Sequence, residues 1–259
     1  MSRIALKIGL RELSGGFKGF WIYLACLILG TAAIAAAGSV TEVFTRGLAG
    51  EARILLGGDA MFSMSQRRPD AQERAFMTDL GRITETAAVD LMATVADTRR
   101  QVNVRAADEY YPLIGEVVLT GPEADFQKAL EFKDGKWGAV VSQSLLDSFN
   151  AKIGDQVSLG PIQAVIRGRV DALPDRVGTP GSFSPEAMVS LEALIEADKL
   201  SDGQIFQSGF RVVFNPDQDF AAVKSMYTEK KMRDAGIRLR GPEDAVDGLQ
   251  DLLLSLIHI

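Results

Sequence analysis

Histidine and cysteine, the side chains that most often serve as catalytic bases, nucleophiles and metal ligands, each occur once in the 259 residues. Cys26 lies inside a long uncharged run, and His258 is the penultimate residue. The chain between them therefore cannot supply a Ser-His-Asp triad, a cysteine nucleophile or a His/Cys metal site. It also has no G-x-x-x-x-G-K-[ST] phosphate-binding loop, so we expect no ATP hydrolysis by that route.

Carboxylates are the remaining chemical groups in quantity. Residues 42–247 hold 32 acids against 24 lysines and arginines, a net charge of −8, but no spacing singles out a pair of acids. Asn215, Asp217 and Asp219 have the spacing of a calcium loop, but its glycine and distal glutamate are missing, and Pro216 favours a helix-capping turn. We therefore expect no catalytic, cofactor-binding or metal-binding residues, no cofactor and no enzymatic activity. The acidic excess argues against a nucleic-acid partner.

The element that must position this acidic region is the uncharged run itself. Residues 19–41 carry no charge, and as a helix they would be about 35 Å long, enough to cross a hydrocarbon core of about 30 Å. Four cations precede the run, whereas the charges after it nearly cancel. Basic flanks stay in the cytoplasm, so we predict a cytoplasmic N-terminus and a large extracytoplasmic domain. In a bacterium this means the inner membrane, with the domain in the periplasm.

Alternatives exist for both ends of this run. Residues 35–37 are alanines, as before a signal-peptidase site, but a signal core is about 7–15 residues, which favours an uncleaved anchor. Residues 1–18 place Arg3, Lys7 and Arg11 on one helical face, which predicts an interfacial amphipathic helix, or else a simple basic leader. Thr31, Ala35 and Ser39 repeat every four residues, either for helix packing in the membrane or because alanine is common there.

The region 42–247 alternates short strand and helix patterns with hairpins, which predicts an α+β domain. The Asp97–Arg100 tetrapeptide is the predicted loop of a hairpin, and Ala172–Pro185 is a predicted loop. The predicted strands are Ala60–Ser65, Ala87–Ala96, Gln101–Ala106, Leu113–Leu119, Gly138–Val141, Gln156–Leu159, Gln163–Val170 and Gly209–Phe214. The predicted helices are Asp70–Gly81, Ser142–Phe149, Leu191–Asp198 and Phe220–Ala235.

One stretch is more specific than the others. Val140–Val170 combines a strand, a short helix, an Ile-Gly-Asp turn and two strands. Together with the preceding apolar run it resembles the periplasmic domain of FtsX-like, MacB-type ABC transporter permeases. The segments Ala5–Leu13 and Leu56–Ala60 look like the family's lead-in to the first span and the junction after it. Asp171–Arg176 and Val189–Leu194 look like a subgroup of YbbP-type permeases.

The resemblance implies a membrane subunit that couples ATP hydrolysis by a separate cytoplasmic ABC ATPase to movement of its periplasmic domain. That movement would act on a lipoprotein, a lipid or an exported molecule, with a periplasmic protein as a further partner. Two permease copies would pair in the lipid membrane. The fold implied is a transmembrane helix followed by a mixed α/β domain of the MacB-type periplasmic kind.

The C-terminal tail departs from the family pattern. Residues 248–259 are largely apolar but too few to span a membrane, and we interpret them as the truncated start of a second membrane helix. Two other functions remain open. A single-pass anchored sensor or ligand-binding domain would need no further membrane segments, and a secreted carboxylate-dependent hydrolase would need cleavage near Ala37.

Overall fold

The computed structural model describes residues 21, 23–32, 35, 52–175, 185–201, 203–242 and 244. The chain divides into two compact units, Met1–Leu48 and Ala49–Ile259. In the first unit the described residues between 21 and 35 are helical, and the Thr31 hydroxyl donates a hydrogen bond to the carbonyl of Leu27 at 2.9 Å. Among the described residues, no helix is both long enough and apolar enough to cross a membrane.

Several predicted segments lie outside the described residues. These are the interfacial helix 1–18, the tail 248–259 and many positions of the span 19–41, including Ser39. The predicted loop Ala172–Pro185 is described only at its two ends. The membrane helix and its orientation therefore remain predictions.

The second unit contains strands and helices in alternation, preceded by a short helical stretch at 52–56. Its described strands are β1 (Ala60–Ser65), β2 (Gly81–Val95), β3 (Thr98–Ala107), β4 (Val118–Thr120), β5 (Trp137–Val141), β6 (Gln156–Leu159), β7 (Ile162–Ala172), β8 (Glu186–Ser190), β9 (Gln207–Phe214) and β10 (Arg238–Arg240). Its described helices of this series are α1 (Ala71–Leu80), α2 (Phe126–Leu130), α3 (Gln143–Phe149), α4 (Leu191–Glu196) and α5 (Phe220–Glu229).

All ten strands join one sheet, in the order β10-β1-β9-β2-β3-β8-β5-β7-β4. The strand β6 pairs with both β2 and β7, so β2, β3, β8, β5, β7 and β6 close into a ring. Among the described strand pairs, only β3–β8 and β5–β7 are parallel. A mainly antiparallel sheet with helices on it confirms the mixed α/β class of the domain.

The strand β2 belongs to both parts of this sheet because it is 15 residues long. Its residues 81–88 pair with β9 in the open part, and residues 86–95 pair with β3 in the ring. The largest buried cluster uses alternate residues of all six ring strands, together with apolar residues of α3 and α4. A second cluster lies between β1 and β9 and the helices α1 and α5, with Phe62, Met77, Phe210 and Val223 at its centre.

Several element bounds were predicted correctly from the sequence. The strands β1 and β6 have their predicted bounds. Asp70 caps α1 in a capping box, accepting from the amide of Glu73 at 2.8 Å while the Glu73 carboxylate accepts from the amide of Asp70 at 2.9 Å. Asp219 caps α5 by accepting from the amide of Ala222 at 2.7 Å, which confirms the capping turn predicted there.

Other element bounds were wrong. The hairpin between β2 and β3 turns over Ala96 and Asp97 alone, with Ala96 at φ 48°, so the predicted four-residue loop is too long. The helix α5 ends at Glu229 and not at Ala235, because the chain enters a left-handed turn at Lys231, φ 50°. The predicted strand Leu113–Leu119 shrinks to β4. Three elements were not predicted at all: α2, β8 and β10.

Candidate functional site

The single cysteine and the single histidine are the first side chains to locate. Cys26 is exposed on the helical stretch of the first unit, and His258 lies outside the described residues. Within the described part of the chain, no group of three or more His, Cys, Asp or Glu side chains is placed to hold a metal ion. The polar arrangement that stands out is a buried charge network under the junction that follows residues 52–56.

Arg211 is the centre of this network. It lies in the middle of β9, between β1 and β2, and only 5% of it is exposed. Its Nε donates to the carbonyl of Leu56 at 3.1 Å, and its Nη1 donates to Oγ1 of Thr86 at 2.8 Å. Its Nη2 forms an ion pair with Asp175. The side chain therefore ties the end of the helical stretch 52–56 to β2 and to the segment after β7.

Asp175 receives three donors. Besides Arg211, it accepts from Nη2 of Arg105 on β3 at 3.2 Å and from the hydroxyl of Tyr111 at 2.6 Å. Its side chain is 1% exposed. Since a buried carboxylate is costly unless it is paired and hydrogen-bonded, these three donors are what allow it to stay charged.

Burial and neighbouring charges both act on the pKa of each member of this network. Burial favours the neutral acid, but the charges of Arg211 and Arg105 and the Tyr111 hydrogen bond lower the pKa of Asp175 overall. Burial, then the Asp175 charge, raises the pKa of Tyr111. Burial lowers the pKa of Arg211 despite the Asp175 charge. For Arg105, burial is outweighed by Asp175, Tyr111 and Glu186, so its pKa is raised.

A glycine makes room for this arrangement. Gly57 has φ +75°, and a Cβ atom added to it would lie 2.8 Å from Cδ of Arg211. The adjoining Asp59 forms a second tie, accepting from the amide of Phe214 at 2.8 Å and from Nη2 of Arg53 at 2.9 Å. The junction after the stretch 52–56, called the joint below, is therefore fastened to β9 at two points.

A groove of about 1100 Å³ lies beside the network on the open face of the sheet. Small and polar side chains on β1, β9, β2 and β3 form its floor, among them Ser63, Gly209, Ala88 and Asn103. Arg105, Asp175 and Arg211 also contribute to the lining. The groove therefore joins the buried network to solvent.

A further ionic cluster fixes α1 to the sheet. Glu85 on β2 is 1% exposed and accepts from Nε of Arg68 at 2.7 Å and from Nη1 of Arg74 at 2.9 Å. Next to it, Asp108 accepts from the amide of Glu85 at 2.6 Å, and burial raises the pKa of Asp108. This cluster therefore joins α1 and the residues just before it to β2.

Sequence reasoning did not find the network, although a signal for it was present. Two segments that carried the family resemblance, Leu56–Ala60 and Asp171–Arg176, supply Leu56, Gly57 and Asp175 to it. Arg211 gave no signal, because an arginine within a strand looks like any solvent-facing residue. The distant segments meet only because β9 inserts between β1 and β2.

Comparison with known proteins places the domain in a family. Residues 20–229 match the model of the MacB-like periplasmic core domain. The chain is 27% identical, over 189 residues, to the uncharacterized ABC transporter permease YbbP of Escherichia coli (strain K12). That alignment covers 73% of this chain and 22% of the relative, so the chain spans about a fifth of the relative's length.

A solved structure agrees in fold. The periplasmic region of MacB from Actinobacillus actinomycetemcomitans superposes with a TM-score of 0.50 at 11% identity, over 76% of this chain and 95% of that one. At that identity the likeness speaks for the fold alone. Because the family model covers most of the chain, the protein belongs to the MacB-like periplasmic core domain family, and its folded domain is of the ABC transporter permease type.

Proposed function

We propose that this chain is the N-terminal part of an ABC transporter permease that moves its periplasmic domain when a separate cytoplasmic ATPase hydrolyses ATP. The observation that carries the proposal is the joint after residues 52–56. Arg211 and Asp59 fasten this joint to β9. A displacement of residues 52–56 would therefore be passed on to β9 and its sheet.

The proposal includes the membrane arrangement expected from the sequence. Residues 19–41 would cross the bacterial inner membrane with the N-terminus in the cytoplasm, and residues 248–259 would begin a second membrane helix. The family relationship supports this, since the relative in Escherichia coli is named an ABC transporter permease. A second permease copy and a periplasmic protein partner belong to the same proposal.

The domain in this mechanism works mechanically and needs no catalytic side chain. ATP binding and hydrolysis would occur on the partner subunit, and the substrate would be a lipoprotein, a lipid or an exported molecule. The groove beside the network is the natural surface for contact with such a substrate, because any motion at the joint reaches Arg211, Arg105 and Asp175, which line it.

One observation favours a second candidate function. A groove of about 1100 Å³ is also large enough for a small ligand, as a single-pass anchored sensor would require. The two functions differ in the segments expected after residue 259 and in the partners required. A permease needs further membrane helices and an ATPase, whereas a sensor needs neither.

The test begins with the coding DNA beyond codon 259 and the neighbouring reading frames. The full gene product, tagged at its native locus, is then purified in mild detergent. Further hydrophobic segments and co-purification of a protein with Walker motifs would support the permease. A stop codon at this position, with no ATPase in the purified material, would overturn it and favour the sensor.

A further inference from the structure

A patch of cations interrupts the acidic surface of the domain around α5 and β10. Between residues 224 and 240 there are six lysines and arginines and only two acids, although 42–247 as a whole has a net charge of −8. All six are exposed: Lys224, Lys230, Lys231, Arg233, Arg238 and Arg240. Cations placed together in this way within an acidic domain create a local field that differs in sign from that of the remaining surface.

Three of these cations and two acids, Asp234 and Asp244, line one depression of about 390 Å³, which leaves the depression with an excess of one positive charge. Lys224 projects from α5, and Lys231 and Arg233 come from the turn that follows the helix. The turn is held in shape by the Tyr227 hydroxyl, which donates to the carbonyl of Ile237 at 2.6 Å. All three side chains are exposed and therefore accessible to an external anion.

The depression also includes Asp244, the last described residue of the chain. The Asp244 carboxylate accepts a hydrogen bond from the amide of Gly241 at 2.6 Å. Leu249, the first large apolar residue of the predicted tail 248–259, follows five positions later. Five residues reach at most about 17 Å when extended and about 8 Å as a helix. If the tail begins a second membrane helix, as the proposed function requires, the depression lies close to the headgroup layer.

We infer that this depression and its cations dock on anionic phospholipid headgroups beside the membrane segments of the chain. The inference rests on the proposed function, since that function brings the membrane to the depression. Phosphate-bearing headgroups match the three exposed cations, which outnumber the two acids of the depression, and each lysine or arginine at an anionic surface changes the equilibrium about fivefold. An acidic protein would match the same charges, but nothing in the chain brings one to this place.

The consequence is that lipid charge sets the pose of the domain. The docked pose would hold α5 against the membrane, whereas the undocked pose would leave the domain held only by its two connections. Salt weakens the docked pose, because the screening length falls from about 10 Å at 0.1 M to about 3 Å at 1 M.

The test uses the full 259-residue chain in nanodiscs. An environment-sensitive fluorophore is attached at Ser225→Cys, an exposed position on α5 that does not line the depression, in a Cys26→Ser background. One set of discs contains phosphatidylcholine alone and the other contains one quarter phosphatidylglycerol. We expect a blue-shifted emission in the phosphatidylglycerol discs only, lost in 1 M salt. The combined Lys224→Gln, Lys231→Gln and Arg233→Gln variant should reduce the docked-to-free ratio at least tenfold.

The matched control neutralises three exposed cations elsewhere, Arg99→Gln, Arg100→Gln and Lys152→Gln, and should keep the emission shift. The same emission in both kinds of disc would overturn the inference, and this comparison needs no variant of the patch. A shift that requires added polyglutamate, whatever the lipid, would assign the patch to an acidic protein instead. Failure of the chain to enter the discs would overturn the membrane anchor and the docking together, whereas entry without a shift would overturn the docking alone.

Discussion

The charge network shows what single residues contribute here and why they were hard to predict. Asp175 and Arg211 are separated by 36 positions in the sequence, and each alone looks like a surface residue. Only the register of β9 against β1, which sets Arg211 opposite Met61, turns the guanidinium toward Leu56 and Asp175. The sequence could show that the segments around Leu56 and Asp175 are distinctive, but it could not show that they meet.

Replacing Arg211 by methionine should destabilise the domain strongly. The change keeps much of the side-chain volume but leaves Asp175 with one buried cation fewer, and loss of one partner of a buried ion pair costs about 3–5 kcal/mol. For a domain of this size that corresponds to a decrease in Tm of roughly 6–20 °C, measurable by thermal unfolding in detergent. Arg100→Met, at an exposed position, serves as the control. Equal Tm values for both variants would contradict the buried role of Arg211.

Asp175, which is buried, and Asp108, which is half-buried, should respond oppositely to pH. The pKa of Asp175 is lowered in the folded state, so its contribution to stability is present above the unfolded pKa, about 3.9, and is lost as the pH falls toward the folded pKa. The pKa of Asp108 is raised mainly by burial, so its contribution is present below the unfolded pKa and is lost as the pH rises through the folded pKa.

The measurement is the free energy of unfolding in urea between pH 3 and pH 6. Compared with the unsubstituted chain, Asp175→Asn should flatten the loss of stability at acidic pH. Asp108→Asn should alter the pH dependence in the opposite direction. Identical pH dependences in the two variants would show that the two carboxylates do not differ in the way described.

Among the elements, local signals predicted the starts of two longer helices, and they failed where tertiary pairing decides. The start of α1 at Asp70 and the capping turn that ends at Asp219 were predicted, whereas α2 was missed although Asp125 caps it. The three-residue strand β10 exists only because β1 offers it an edge, so no local pattern announces it. The extension of β2 back to Gly81 likewise depends on pairing with Phe214.

Gly57→Ala tests the turn at the junction that follows residues 52–56. Gly57 and Gly236 have nearly equal φ angles, +75° and +79°, but an added Cβ meets Arg211 at Gly57 and nothing within 4 Å at Gly236. Both substitutions should cost about 1–2 kcal/mol for the left-handed backbone. Gly57→Ala should cost about 1–3 kcal/mol more, because Arg211 must move. The free energies of unfolding of both variants, measured in urea, give the difference. Equal losses of stability would show that the contact with Arg211 adds no cost.

For the whole molecule, the sequence predicted the class of fold and the family but not how the sheet closes. The ring requires β6 to reach β2 across about 60 residues of sequence, where Thr94 lies opposite Ser158. Alternating apolar residues in β6 and β7 indicate strands with one buried face, but they do not identify the partner strands. Closure is therefore a property of the assembled domain, as is the sharing of β2 between its two parts.

A disulfide across the seam of the ring tests this closure. In a Cys26→Ser background, Thr94→Cys with Ser158→Cys places two thiols on directly paired positions, within the range for a disulfide. We expect rapid oxidation and a higher Tm, measured by thermal unfolding with and without reductant. Thr94→Cys with Gln163→Cys is the control, because Gln163 lies one strand further along, opposite Ser158. Equal oxidation of both pairs would contradict the register.

The pairing of β1 also has a consequence for how the protein is made. Both neighbours of β1 are encoded late, since β9 ends at Phe214 and β10 at Arg240. At about 5–20 residues per second, they emerge from the ribosome roughly 8–35 s after β1. During that interval both backbone edges of β1 are unpaired, and the apolar side chains of Phe62 and Met64 are exposed to water. Newly synthesised chains should therefore need protection by chaperones until the last strand arrives, and chains interrupted before Phe214 should be degraded quickly.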